Sequence, residues 1–384
     1  KTEDIVSRFI EEAESTSVLD VGVHAILTPE DESRFPTIIP SLIKDGVISF
    51  KMFMTYTPRT PNMPALQMPD HALMNIMDLC SIHGGIAQVH CETGCCIDYL
   101  AAQSVSAGNT TPKWHAPSQP ALLEVEAVTR AATFASVTGC PLYPVHVSAK
   151  EIPAVIKYFQ ELGKTSIYAE TCPHYLTLTN DEVLQKGPLA KVGPPLREIA
   201  DNEAMWQAVS DGTVSVIGSD STGFSSAEKY GGLDNQMKVG GDISKFNIFE
   251  GTFGANTIEH MMPVIWSKGV NEGRITLPVL VKQLCENPAK IFGLYPNKGT
   301  VRVGSDADLV VWDPTKQHKV KGQHGNADFS TFEGFELLGM PVTTMQRGRL
   351  IVDNGELVAK PGEARYIPGN PDLTAYATNG NGIT

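Results

Sequence analysis

Charge is scarce in this 384-residue chain: Asp, Glu, Lys and Arg make up 19% of it, against about a quarter in ordinary soluble domains. What charge there is leans acidic, with 43 Asp+Glu against 30 Lys+Arg and a net charge of −13, so the basic face of a nucleic-acid binder is lacking. Long apolar runs are missing too, since no stretch approaches the ~18 residues of a membrane span. The N-terminal KTEDIVSRFIEEAES is polar and helix-like, unlike a signal peptide. Neither nucleic acid nor a membrane is therefore expected as a partner. The cysteines (Cys80, Cys91, Cys95, Cys96, Cys140, Cys172 and Cys285) number seven and form no CxxC pair, which argues against a disulfide framework and a structural zinc site. The Cys91, Cys95 and Cys96 group could take a soft metal, but reduced core or loop thiols are the plainer reading. The cytoplasm is the expected compartment. Disorder is excluded as well, because it needs low hydrophobicity and 42% of this chain is hydrophobic.

At roughly 150 residues per domain, the length suggests two domains or one large one with an appendage, ample for a sizeable core. Up to about Leu294, short β-branched runs alternate with helical stretches. The expected strands are Val18–Leu27, Val47–Met54, Ile86–Cys91, Leu142–Val147, Ser166–Thr171 and Val214–Asp220. They are apolar nearly throughout, as strands buried on both faces of a parallel sheet are. Between them, ALMNIMDLCSIHG, ALLEVEAVTRAATFASVTG, EIPAVIKYFQELG and NEAMWQAVSDG read as helices stopped by glycine. Such repeated βα units point to an α/β barrel or a doubly wound sheet. From Gly299 to about Tyr366 the runs TVRVGSDADLVVWD, VTTMQRGRLIVDNG and ELVAK read as a small antiparallel β module. The tail PGNPDLTAYATNGNGIT reads as an extended arm. The expected division is 1–295 for the α/β unit, 296–366 for the β module and 367–384 for the tail.

Four apolar strands are interrupted or ended by residues that a core rejects. Lys51 sits between ISF and MFM, His90 ends IAQV, His146 ends LYPV and Asp220 ends VSVIGS. Each has a plain alternative: a core histidine that is simply satisfied, a lysine paired with a nearby glutamate, an aspartate capping the next helix. Together they favour one shared cause, because catalytic side chains of parallel barrels gather at the C-terminal strand ends. Two histidines and an aspartate suit zinc or a similar divalent ion. A lysine suits that company if CO2 converts it to a carbamate, an anionic ligand able to bridge two metals.

The ordered runs ISFKMFMTY, QVHCETG, PVHVSAKE, AETCPHYLTLT, KVGPPLRE and IGSDSTGFS resemble the dihydropyrimidinase/hydantoinase branch of the amidohydrolase superfamily. SDADLVVWDP and FEGFELLGMPVTTMQRGRLIVDNGEL resemble that family's C-terminal β module. The resemblance implies a (β/α)8 TIM barrel with a small β-sandwich module. It implies a carbamylated Lys51 bridging two divalent metals (zinc, or manganese or cobalt), with His90 and His146 on one metal and Asp220 on the other. Tyr56 would hydrogen-bond the developing oxyanion, Asp220 would act as general base and then general acid, and Gly193 would contact substrate through its backbone. The implied reaction opens the cyclic amide of a dihydropyrimidine or 5-substituted hydantoin to an N-carbamoyl amino acid. An allantoinase, a cyclic imide hydrolase or a metal-free scaffold relative are the alternatives; the retained Lys51, His90, His146 and Asp220 favour an enzyme. Homo-tetramers or homo-dimers are also implied.

The chain departs from the pattern in specific places. The HxH motif of the family's first barrel strand is absent, since no two of the ten histidines are one residue apart. Val18–Leu27 then corresponds to the family's third strand, so the expectation is a chain lacking the first two barrel strands, with an incomplete Asp220 half-site. Gly193 stands where many hydantoinases carry serine, and the family's substrate-holding Asn-Gly is replaced around Glu250-Gly251 or Asn256. His174 is expected to be structural, while His24, His71, His83 and His115 carry no partner pattern.

Overall fold

The six apolar runs fold into six parallel strands: β1 (Ala25–Ile26), β2 (Ser49–Phe53), β3 (Ile86–His90), β4 (Leu142–Pro144), β5 (Ala169–Thr171) and β6 (Val214–Ile217). The computed structural model describes residues 1–57 and 65–374, the Lys238 side chain excepted. β1 to β4 pair side by side in chain order and β5 pairs with β6, while a parallel bridge between Leu142 and Ile167 joins the two groups. Ala25, Phe50, Ala87 and Leu142 lie level across the first four strands. Along β2, Phe50 and Met52 are fully buried in the main core. Side chains alternate along a strand, so Ser49, Lys51 and Phe53 take the opposite face. That alternation turns Lys51 inward, away from the helices.

Helices Asp70–His83, Ala121–Thr138, Ile152–Leu162 and Ile199–Asp211 cover the outer face and stop at Gly84, Gly139, Gly163 and Gly212. All four glycines have positive φ, the left-handed helix end that glycine adopts without strain. Helix Phe35–Lys44 buries Phe35, Ile38, Ile39 and Leu42, the spacing of one helical face.

Every expected strand of the α/β unit is shorter than its sequence suggests, the first most of all. Of Val18–Leu27 only Ala25–Ile26 is strand. Upstream, Asp20 is pinned outside the sheet by Lys298 at 3.1 Å and by Arg347, and Val21 bridges Tyr366 instead. Likewise TVRVGSDA is not strand. β7 (Leu309–Lys319) pairs with β8 (Glu336–Gln346) from Leu309 opposite Met345 onward, and beyond it β8 turns at Arg347–Gly348, where Gly348 N–H donates to Ala307 O at 2.9 Å without continuing the ladder. β9 (Arg349–Asp353) and β10 (Glu356–Leu357) complete the antiparallel sheet in the order β10-β9-β8-β7.

The segment between β7 and β8 returns to the α/β unit, where Val320, Phe332 and Leu337 share a core with Tyr175, Val192 and Leu196. The start of the tail folds back as well. Gly369 N–H donates to Gly46 O at 2.8 Å, and a Cβ on Gly46, whose φ is 85°, would lie 2.2 Å from Pro368 Cβ. Residues 375–384 of the expected arm lie outside the described residues. Among the described residues, no helix is long and apolar enough to cross a membrane.

Candidate active site

His90 closes β3, whereas His146 and Asp220 lie two and three residues beyond the last residues of β4 and β6. The expectation that these strands end in His146 and Asp220 is corrected by the backbone. His146 (φ 43°) and Asp220 (φ 47°) have left the extended region, and Tyr56, after β2, has φ 70°. These are three of the five non-glycine residues with positive φ among the described residues. Each such position costs about 1–3 kcal/mol and persists where surrounding structure enforces it. The strain aims side chains that a straight strand would not bring together.

The His90 and His146 rings meet edge-on with centroids 4.4 Å apart, and both side chains are nearly inaccessible at 2% and 3%. The Tyr56 ring stands edge-on to His90 at 4.9 Å. Burial holds both imidazoles well below their ordinary pKa, and the Lys51 cation adds to this. They are therefore neutral donors at physiological pH. Burial also pushes the Lys51 ammonium down to about 8, against the pull of Asp220 and Glu170. Asp220 keeps a solvent-accessible side chain, yet dense surroundings push it up to about 6, with Lys51 opposing. Lys51 and Asp220 thus feel each other's charge across the strand ends.

The donor set was tested against a divalent ion. Among the described residues, no three or more His, Cys, Asp or Glu side chains form a group that could hold a metal. The two imidazoles do meet, and His146 Nδ1 is buried without a hydrogen-bond partner, an arrangement that costs roughly 1–3 kcal/mol unless something else binds there. The set becomes adequate when Lys51 contributes a carboxylate as its carbamate. With that modification the residues fit a metal.

Glu92 was not anticipated. It is buried beside His90, with Nε2 and Glu92 Oε2 2.8 Å apart, the arrangement in which a carboxylate fixes a ligand imidazole and leaves its other nitrogen free. Burial raises Glu92 to about 7 against the pull of Arg197. Glu92→Gln is expected to weaken metal binding by about 10- to 100-fold, read by competition with a metallochromic chelator; unchanged affinity would remove Glu92 from this role.

Glu170 was also missed, although it interrupts the apolar SIYAET as Lys51 interrupts its own strand. It accepts from Tyr143 Oη at 2.9 Å and from the strained His146 N–H at 3.3 Å. A Cβ on Gly218 would lie 2.3 Å from its carboxylate, so the glycine of IGSD makes room for it. Behind this, Glu124 accepts from Ser148 N–H (2.7 Å), Ser148 Oγ (2.6 Å) and Arg197 Nη2 (3.0 Å). That buried pair ties the turn after His146 to the GPPLR segment.

Gly193 does lie beside Tyr56: a Cβ there would stand 2.7 Å from Tyr56 Oη and 3.1 Å from the Phe253 ring. Asn256 is fully buried, donating to Phe224 O and Phe329 O, so its side chain holds loops together. His174 packs in the core against Tyr175, and burial lowers it to about 3. His24 pairs with Ser49 Oγ, His71 with Glu32 and His115 with Val192 O.

Comparison with known proteins agrees with this geometry. The model of the amidohydrolase family matches residues 6–351. A D-hydantoinase of Ralstonia pickettii is 33% identical over 358 residues, covering 91% of this chain and 74% of that protein. A D-hydantoinase of Geobacillus stearothermophilus is 33% identical over 362 residues, 92% of this chain and 73% of the other. The crystal structure of a dihydropyrimidinase from Brevibacillus agri NCHU1002 superposes with a TM-score of 0.87 at 31% identity, covering 97% of this chain and 78% of that one.

Proposed function

The chain belongs to the amidohydrolase family, in its dihydropyrimidinase and hydantoinase branch, and on that premise we propose that Lys51, His90, His146 and Asp220 hold two divalent ions for cyclic-amide hydrolysis. The protein is a metal-dependent hydrolase of the cyclic amide bond in hydantoins or dihydropyrimidines. The observation that carries the site assignment is the meeting of buried, neutral His90 and His146 beside Lys51, whose ammonium is drawn by the Asp220 carboxylate.

Zinc is the proposed metal, with manganese or cobalt accepting the same donors. Bound there, such ions supply Lewis acidity that brings the pKa of a water towards neutrality and draws charge onto a carbonyl oxygen. Lys51 reaches its ligand form through its free amine, which a pKa of about 8 makes available near neutral pH. The nitrogen lone pair bonds to the carbon of CO2, and the proton leaves to solvent. His90 and His146 would hold one ion, with Glu92 orienting His90. Asp220 would hold the other; it accepts the proton of the attacking water, for which a pKa of about 6 is well placed. Tyr56 donates its hydroxyl proton in a hydrogen bond to the carbonyl oxygen as negative charge grows there. Asp220 then returns the proton to the ring nitrogen as the C–N bond breaks, and the product is an N-carbamoyl amino acid. Gly193 offers main-chain polar atoms beside Tyr56 to the substrate ring.

We extend the proposal to a homo-tetramer or homo-dimer, which light scattering decides, and to a cytoplasmic setting, which fits seven free cysteines. The reaction itself is tested by ultraviolet absorbance on adding dihydrouracil, hydantoin, 5-phenylhydantoin, allantoin and succinimide to the metal-loaded protein. Turnover of hydantoin or dihydrouracil is expected. Turnover of none of the five by protein that binds no metal would overturn the reading in favour of a scaffold.

A further inference from the structure

Two lysines outside the proposed metal site, Lys191 and Lys229, are among the largest fully buried side chains of the molecule. Both donate to main-chain carbonyls. Lys191 Nζ reaches Ile248 O at 2.8 Å and Gly251 O at 2.5 Å. Lys229 Nζ reaches Lys191 O at 2.7 Å, Thr252 O at 2.8 Å and Gly254 O at 2.5 Å. The loop returns two bonds, Thr252 N–H to Lys229 O (3.0 Å) and Gly254 N–H to Lys191 O (3.1 Å). Burying an ammonium is costly unless it is hydrogen-bonded. Committing two of them to residues 248–254 fixes that loop from beneath, as a recognition surface requires.

The side chain so presented is Phe253. Its ring is half-buried, backed by Lys191 Nζ 4.1 Å from the centroid. It stands edge-on to Tyr56 at 5.7 Å and lies 5.8 Å from His115. Rings therefore follow one another from His146 to His90 (4.4 Å), to Tyr56 (4.9 Å) and to Phe253 (5.7 Å). Phe253 follows Tyr56 in that series and, unlike His90 and His146, keeps part of its surface open. It also abuts Gly193, so it borders the place where the ring amide is to be held.

We propose that Phe253 is a specificity-determining residue: its partly open ring is an apolar wall for a flat substituent, such as an aryl group, on the substrate ring, and Lys191 and Lys229 are the positioning residues that hold it. The proposal rests on the cyclic-amide reading above. Flat aromatic groups gain from each other's faces and edges beyond simple burial, whereas an unsubstituted ring has nothing to place there.

The test compares kcat/KM for 5-phenylhydantoin and for unsubstituted hydantoin in metal-loaded wild type, Phe253→Leu and Phe253→Ala. Inhibition by N-carbamoylphenylglycine serves as a binding readout. For Phe253→Ala, kcat/KM on the phenyl substrate is expected to fall about tenfold or more, mainly through KM, with hydantoin within about threefold. The inhibition constant is expected to rise in step, and the leucine variant to fall between. Equal losses on both rings, or improved turnover of the phenyl substrate, would overturn the wall. Lys229→Met should shift the same ratio in the same direction with kcat on hydantoin retained, and Lys229→Arg should restore part of it. Parallel loss of kcat on both rings would make the lysine merely structural. If wild type opens neither ring, the cyclic-amide reading itself has failed; hydantoin turnover with a ratio indifferent to Phe253 defeats only the wall.

Discussion

Lys51→Ala protein is expected to retain less than one metal per chain, where the proposed wild-type site would hold two, and to lose turnover almost entirely. As the proposed carbamate Lys51 would serve both ions, so its removal would forfeit the Lewis-acid stabilisation, worth several kcal/mol. At about 1.4 kcal/mol per tenfold this is a loss on the order of 10⁴-fold in kcat. Lys51→Arg should fare no better, because guanidinium stays protonated and cannot take up CO2. Metal analysis by mass spectrometry beside the rate measurement decides the matter: a Lys51→Ala enzyme with two metals and a rate within tenfold of wild type would remove Lys51 from the site. Stability gives an independent readout of the same lysine. Its folded-state pKa of about 8 lies below the ~10.4 of free lysine, so between those values the native state binds fewer protons than the unfolded chain. The stability of metal-free protein therefore gains from this group as pH rises from about 8 towards 10.4, and the penalty is fully present below pH 8. Lys51→Met should remove that slope and stabilise the metal-free protein most at neutral and lower pH, which melting temperatures against pH will show.

The residues that were legible in the sequence share one property. Lys51, His90, His146 and Asp220 break apolar runs, and a run buried on both faces has no cheap place for them. The same rule reaches Glu170, which sits in SIYAET; it passed unnoticed because a glutamate next to a strand end is easily read as the beginning of a loop. What could not be read is what depends on contacts across the chain. The left-handed turn at His146 is held by Glu170 through the His146 N–H, and neither it nor the turns at Tyr56 and Asp220 has a local signature. Lys191 and Lys229 meet carbonyls 23 to 60 residues away, so their burial contradicts every compositional expectation for lysine. The shortening of the first strand has the same origin, since Asp20 answers to Lys298 and Arg347, 278 and 327 residues downstream. Periodicity placed the helices well because their glycine stops are local; it misplaced strand ends because pairing partners decide those.

Asp220→Asn removes the proposed proton carrier, itself a proposed ligand of the second ion, while leaving Lys51, His90 and His146 in place, and carries the second large effect. The amide keeps the size of the carboxylate but accepts no proton at working pH, so kcat should fall by roughly 10²–10⁴-fold, the usual worth of a positioned acid–base group. KM should change little, because the lost interaction belongs to the transition state. His90 and His146 are untouched, so the ion proposed for them should remain, in contrast to Lys51→Ala. The pH profile supplies the sign. Asp220 serves as a base only when ionised, and its pKa is raised to about 6, so wild-type kcat should decline as pH falls through that region and level off above it. In Asp220→Asn the residual rate should lack that limb. A variant with at least one metal bound, a deep loss of kcat and no acid limb identifies the carboxylate as the proton carrier. A variant within tenfold of wild type, or one whose acid limb persists unchanged, assigns the limb to another group. Glu170 is then the next candidate, because burial raises its carboxylate to about 7, with Asp220 adding to this and Lys51 opposing. Its hydrogen bonds from Tyr143 and from the His146 N–H argue against that exchange, since a carboxylate already accepting two donors is built to stay in place.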